Sequence, residues 1–320
     1  MATRCRVRRC GGQIATRHFQ RCDLQVSLRP IVPHPNTPPL RPLPPPLPRG
    51  ALALPVIRTI SLTQPLQWLV RGAQDMRRGG WLSLAHGLAF AVGGALIALL
   101  LGERFWLLAG AFSGFLVVAP VLATGLYAIS RALERGEPVN LQLIFRTWTR
   151  WQYSRYAVQG GYWGLVRFGL LLALAGTGWV VTSAALITLL AAHPVNTPRD
   201  FVRHVMLARD GYLFELWMIM GGLMAAPIFA SSVVAMPLLL DRRVDVLQAV
   251  LTSWQAVLTN PLPLALWAAL LMGLTVLGLG TLLLGLIVVL PLLGHASWHA
   301  YRDLVDASAL PERQPPEGAV

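Results

Sequence analysis

Leu262 to Leu293 is a run of 32 residues without one charged side chain. About 20 apolar residues carry a helix across roughly 30 Å of hydrocarbon. Inside lipid, only helices and closed barrels satisfy every backbone polar group. Four more apolar blocks precede this run. They are Leu82 to Leu101, ending at Gly102-Glu103-Arg104; Trp106 to Ile129, ending at Ser130-Arg131; about 166–192; and about 216–240, stopped by Asp241-Arg242-Arg243. The chain is 55% hydrophobic and 13% charged, against about 25% charged in soluble domains. An all-α, polytopic membrane bundle follows.

The last block is long for one span and short for two ordinary ones. Gly278, Gly280 and Gly285 allow a turn that divides it into 262–278 and 281–301. An internal comparison favours this division. Gly114-Phe-Leu-Val-Val-Ala-Pro120, continuing to Tyr127, Arg131 and Leu133, can be laid on Gly285-Leu-Ile-Val-Val-Leu-Pro291, continuing to Trp298, Arg302 and Leu304. A fainter third version is Val233-Val234-Ala-Met-Pro237-Leu-Leu239. Related halves require both proline-bearing helices to leave on one side, which gives six spans, with five as the alternative.

Charge sets the orientation, since arginines near span ends mark the cytoplasmic side. All 27 basic residues are arginine. With six spans, 14 arginines of the body are cytoplasmic and Arg104, Arg199, Arg203 and Arg209 lie outside. Five spans move only Arg302 and Arg313 outward. Both termini are thus expected in the cytoplasm.

Residues 1–54 form a separate tail with nine arginines and one acid. Ten prolines between 30 and 48 exclude helix and sheet there and predict disorder or polyproline II. Cys5, Cys10, His18 and Cys22 match no familiar zinc spacing. The integral membrane domain is expected over 55–306, and 307–320 reads as a polar, fraying tail.

Three stretches outside the spans read as amphipathic juxtamembrane helices. In 63–80, Leu66, Leu69, Val70 and Ala73 share a face away from Arg71, Asp75 and Arg78. Residues 141–156 mix Trp148, Trp151 and Tyr156 with Arg146, Arg150 and Arg155. In 244–260 the apolar stripe is Val244, Leu247, Val250, Leu251 and Trp254. Such helices lie in the interface, with arginines near anionic lipid headgroups. Beside a bilayer, the arginine–aromatic mixture reads as an interfacial belt, so no nucleic-acid partner is expected.

Charge inside a span is costly and marks function, and these spans hold almost none. His86 lies in the first span, and His295 and His299 are four apart on the last helix. They are the metal or haem candidates within the spans; hydrogen bonding is the simpler reading, and no cofactor is expected. Pro120, Pro237 and Pro291 each sit inside a span and kink it, either around a central cavity or as ordinary packing. Arg302 and Asp303 fall at the water boundary with Tyr301. P-loop, nucleophile-elbow and dinucleotide fingerprints are missing.

Three runs, Gly114-Phe-Leu-Val-Val-Ala-Pro120 with Gly125-Leu-Tyr127, Met236-Pro237-Leu-Leu-Leu-Asp241-Arg242, and Pro291-Leu-Leu-Gly294-His295-Ala with Trp298-His299-Ala-Tyr301-Arg302-Asp303-Leu304, give a resemblance. From about 55 to 306 the chain resembles the bacterial integral membrane family called domain of unknown function 2189. The resemblance implies a multipass protein of the bacterial inner membrane and supplies no activity. Three functions follow as expectations: a non-catalytic envelope or assembly component with membrane protein partners; a transporter, channel or lipid handler; or a metal- or haem-binding subunit using His86, His295 and His299.

Overall fold

The computed structural model describes residues 54–102, 108, 123–153, 163–208 and 212–313. The tail before residue 54, Pro120, most of the block 106–129 and residues 314–320 lie outside the described residues. So do Glu103, Arg104, Arg155, Tyr156, Arg209, Asp210 and the side chains of Arg150 and Trp151.

The described chain is almost wholly helical. A short strand β1 (Val56–Ile57) leads into α1 (Gln64–Gly79) and α2 (Trp81–Leu101). The helix α3 occupies 123–134, followed by α4 (Leu141–Tyr153) and α5 (Trp163–Leu190). A single turn α6 (Pro198–Phe201) and a π-turn precede α7 (Leu213–Ser232) and α8 (Ala235–Asp241). Then come α9 (Val246–Thr259), α10 (Pro261–Gly280), α11 (Leu286–Leu304) and β2 (Val305–Asp306), which pairs antiparallel with β1.

Four described segments are long and apolar enough to cross a membrane: Trp81–Leu101, Gly164–Leu190, Leu213–Asp241 and Pro261–Gly280. Their large apolar side chains point outward, as at Leu99, Leu174, Leu189, Leu223 and Val276. In water that surface would be an aggregation hazard; against hydrocarbon it is the proper face. The block 262–293 does divide into two helices, turning at 281–285. Thr281 Oγ1 closes the end of α10, donating to the Gly278 carbonyl (2.9 Å) and accepting from the Gly285 amide (2.8 Å). Leu282 and Leu283 take the left-handed region (φ 55° and 70°), costing roughly 1–2 kcal/mol per residue.

Helix α11 is the axis of the structure. It lacks the apolarity of the four spans because its second half carries His295, His299, Arg302 and Asp303. It needs none: α1, α2, α3, α8 and α10 pack around it, and His295, Ala296, Trp298, Ala300 and Tyr301 are buried. Ser83 reaches His295, Gly87 meets the Ile287 backbone and Gly94 meets Leu283, so α2 runs antiparallel to α11. Leu126 meets Gly294 and Glu134 meets Trp298 and Arg302, so α3 runs parallel to it. The C-terminal ends of α3, α8 and α11 therefore meet at one end, hereafter the polar end.

Several expectations are corrected. The block 216–240 lies in the one apolar span Leu213–Asp241, whose helix is interrupted at Val233-Val234 to give α7 and α8. Pro237 lies in the first turn of α8, where it has no amide for the Val233 carbonyl and its ring collides with that carbonyl. The Val234 amide turns instead to Ser253 Oγ (3.3 Å). Pro227, overlooked in the sequence, lies inside α7, and Pro291 inside α11. Pro237 and Pro291 are buried in packed core.

The amphipathic helices α1 and α9 turn a face of mostly small and polar residues inward. In α1 the buried face is Pro65, Trp68, Gly72, Asp75 and Gly79, while Leu66 and Val70 are exposed. In α9, Ala249, Thr252, Ser253 and Ala256 face inward, and Leu247, Leu251 and Trp254 outward. Outside a membrane protein the solvent is apolar, so small residues mark the contact face. At Gly72 a Cβ would stand 2.8 Å from the Ala296 amide nitrogen and 2.9 Å from the Leu292 carbonyl oxygen; only glycine lets α1 lie this close to α11.

Candidate functional site

The chemistry of the described chain gathers at the polar end, in two adjoining networks. The first joins α1, α2, α3 and α11. Asp75, expected away from the face that carries Leu66 and Val70, is buried and accepts from His299 Nε2 at 2.8 Å. It also takes a hydrogen bond from Ser130. Ser130 Oγ lies 2.7 Å from His295 Nδ1, and His295 Nε2 lies 2.9 Å from Ser83 Oγ.

Proton positions follow from the donor inventory. An ionised Asp75 only accepts, so Ser130 spends its one hydrogen there and accepts from His295 Nδ1–H. Neutral His295 then accepts at Nε2 from Ser83. The chain of bonds is satisfied with one imidazole tautomer and no buried net charge beyond the Asp75–His299 pair. Burial acts to raise the Asp75 carboxyl, but the hydrogen bonds from His299 and Ser130 outweigh it and hold the group below its ordinary value.

His86 is close by but outside this chain of bonds. Its Nδ1 meets the Leu82 carbonyl (2.7 Å), its ring lies edge-on to Trp148 (5.6 Å), and its buried Nε2 has no hydrogen-bond partner among the described residues. A Cβ on Gly125 would collide with that nitrogen. His86, His295 and His299 thus do not share a ligand position. Among the described residues no three His, Cys, Asp or Glu side chains converge as a metal site.

The second network is ionic. Asp241, 2% exposed, pairs with Arg131 Nε (3.0 Å), Arg135 (3.5 Å) and Arg242 Nε (2.9 Å) and accepts from the Tyr301 hydroxyl (2.9 Å). Glu134 accepts from Trp298 Nε1 (2.9 Å) and pairs with Arg302 (2.8 Å). Asp303 pairs with Arg71 and accepts from Gln64 (2.7 Å) and Trp68 (2.8 Å). Tyr301 was expected at the water boundary but is fully buried; Arg302 and Asp303 are partly covered.

The stretch 307–313 was expected to fray and is instead woven in. The Arg313 amide donates to the Asp241 carbonyl (3.0 Å), the Arg243 amide to the Pro311 carbonyl (3.0 Å), and Glu312 pairs with Arg135 and Arg242. On the far side of α11, β1 and β2 form a clasp held by Arg58–Asp306 (3.1 Å) and by Asn260, which bonds the Ile60 amide and the Arg58 carbonyl.

Hydrogen bonds from Ser308 and the nearby Arg58 guanidinium push the Asp306 carboxyl down to about 2, from an ordinary 3.8. A lowered folded value means that the contribution is full above the ordinary value and disappears as pH falls through the folded one. Acidification from pH 4 to 2 is therefore expected to lower the amide-exchange protection of Arg58, whose amide donates to the Leu304 carbonyl (2.9 Å), before that of α10. Asp306→Asn should show fast exchange there already at pH 6. An unchanged exchange rate in that variant would sink this assignment.

Among the residues singled out from the sequence, His295, His299, Arg302 and Asp303 are brought to one end of the bundle, and Pro291 lies on the same helix beyond them. Pro237 lies in α8, four residues before Asp241. Pro120 is outside the described residues. The residues that reasoning missed are Asp75, Ser83, Ser130, Glu134 and Asp241. The available signal was the spacing of Gly72, Asp75 and Gly79, which places a carboxylate on a small-residue face.

The family model described as a predicted integral membrane protein, domain of unknown function 2189, matches residues 107–241. The match takes in the Gly114–Arg131 and Met236–Asp241 runs; the resemblance over 55–306 is thus matched across α3 to α8 and not over α11. No curated protein and no solved structure matches the chain. The chain is a helical integral membrane protein.

Proposed function

We propose that the chain is a non-catalytic assembly component of a bacterial inner membrane. Its core domain is 55–306, with six spans, both termini cytoplasmic, an outlying N-terminal tail and no cofactor. One observation carries the reading: Asp75, Asp241, Asp303 and Glu134 each pair with a basic residue of the same chain. The polar residues hold helices together. Pro120, Pro237 and Pro291 have a packing role in this reading, and His295, His299, Arg302 and Asp303 a structural one.

Six spans are supported by the meeting of α3, α8 and α11 at the polar end. A sharper repeat supports them too. Gly114, Leu116, Ala119, Pro120, Ala123, Ala128 and Leu133 recur 107 positions on (114 to 221) as Gly221, Leu223, Ala226, Pro227, Ala230, Ala235 and Leu240, and Glu134-Arg135 becomes Asp241-Arg242. The middle unit thus aligns on Pro227 and not on Pro237. Each unit is then an amphipathic helix, an outer span and an inner proline-bearing span. Arginines dominate the polar end, which fits the cytoplasmic side, with anionic lipid headgroups and membrane proteins as partners.

Two measurements test the proposal. A reporter fused after residue 306 should be active only in its cytoplasmic form; a periplasmic signal would overturn six spans. Proteoliposomes holding the purified protein should pass protons and potassium no faster than empty ones, while photo-crosslinkers at Leu99 and Leu189 should yield a discrete heteromeric band in cells. Protein-dependent flux without such a band would overturn the assembly reading in favour of transport.

A further inference from the structure

Away from the polar networks, α5, α7 and α9 enclose a groove of about 540 Å³. Its walls are apolar, with Phe168, Leu171 and Gly178 on α5, Leu223 and Pro227 on α7, and Val250 on α9. Pro227 has no amide to offer the Leu223 carbonyl, and Ser231 Oγ donates back to the Pro227 carbonyl (2.7 Å). Both features bend a helix away from its neighbour. At Gly178 a side chain would meet no atom within 4 Å, so the space is real.

The groove has a polar end and an apolar end. Gly164, at the start of α5, packs on Leu239 and Val246, which places it beside Asp241 and the start of α9. Arg167 is exposed one turn further along α5, four residues before Leu171 and so on the same helix face. Arg243, three residues before Val246, is exposed as well. Neither guanidinium has an acidic partner among the described residues, in contrast to Arg71, Arg131, Arg135, Arg242 and Arg302. Asp245, beside Arg243, is taken up in capping α9 through the Gln248 amide (2.7 Å). Trp254 Nε1 donates to Ser231 Oγ (3.0 Å) at the rim.

An uncharged trough that opens toward lipid and is headed by two unpaired cations matches one chemistry. We propose that the groove binds an individual phospholipid, one acyl chain lying between α5 and α7 and its anionic headgroup set against Arg167 and Arg243. This goes beyond an assembly role and does not depend on it: the site would be present in a scaffold or in a transporter.

The test uses the full chain in mild detergent, delipidated and then offered equal amounts of phosphatidylglycerol and phosphatidylethanolamine, with bound lipid counted by native mass spectrometry. One lipid per chain should survive, with phosphatidylglycerol preferred about fivefold for each arginine engaged. Gly178→Leu fills the groove and should abolish retention. Gly273→Leu, equally unobstructed on α10 but outside the groove, should leave it intact. Arg167→Gln with Arg243→Gln should erase the headgroup preference while the chain is still held. Equal retention of the two lipids by the unaltered protein, or the same response to Gly178→Leu and Gly273→Leu, would overturn the proposal. Thermal unfolding of each variant distinguishes groove filling from misfolding.

Discussion

Asp241→Ala is expected to destabilise the folded protein by about 3–5 kcal/mol, because it strips the counter-ion from buried cations. Asp241 is the one carboxylate on which Arg131, Arg135 and Arg242 converge, and Arg242 is itself only 9% exposed in its side chain. Removing it takes from Arg131 its ion pair with Asp241 and leaves Arg135 and Arg242 only the more exposed Glu312, at the junction of α3, α8 and the C-terminal stretch. Tyr301→Phe removes only a neutral donor to the same carboxylate and should cost about 0.5–1.5 kcal/mol. Unfolding in a graded mixture of mild detergent and dodecyl sulfate would report both. Equal effects for the two variants would show that the network is solvated and that Asp241 is not its hub.

Gly87→Ala is expected to destabilise by about 1–3 kcal/mol or more, through overpacking. On an exposed helix the same change would stabilise by about 1 kcal/mol, so the sign carries the information. A Cβ at this position overlaps the Ile287 carbonyl oxygen and would stand 2.6 Å from its carbon and 2.7 Å from its Cα. All three are backbone, and α11 cannot yield without dragging His295 from Ser83 and Ser130. Gly94→Ala, two turns along α2, meets only the Leu283 side chain at 3.4 Å and should be near neutral. If the two substitutions behaved alike in the same unfolding assay, the close approach of α2 and α11 would be refuted.

Hydropathy made the lipid-facing helices legible. Trp81–Leu101 and Pro261–Gly280 coincide with the blocks read from the sequence, because a helix against hydrocarbon must be apolar over a fixed length. The same criterion fails at α11, whose neighbours shield it, so that His295, Trp298 and Tyr301 are free to be polar or aromatic. It fails again at Asp75. In water the large apolar stripe of α1 would point inward, and Asp75 outward. Beside lipid, Leu66 and Val70 find apolar surroundings without any protein contact, and the inner face is left to Gly72, Asp75 and Gly79.

The sequence by itself determined that lipid surrounds this chain and where its outer helices run, since burial in a bilayer is a demand on single segments. Only the tertiary structure decided which face of each amphipathic helix turns inward, that Asp75 meets His299 across 224 positions of chain, and that Asp241 gathers arginines from α3 and from its own helix end. Those pairings depend on how closely backbones approach at Gly72 and Gly87, a property of two helices together that neither one's residues encode alone.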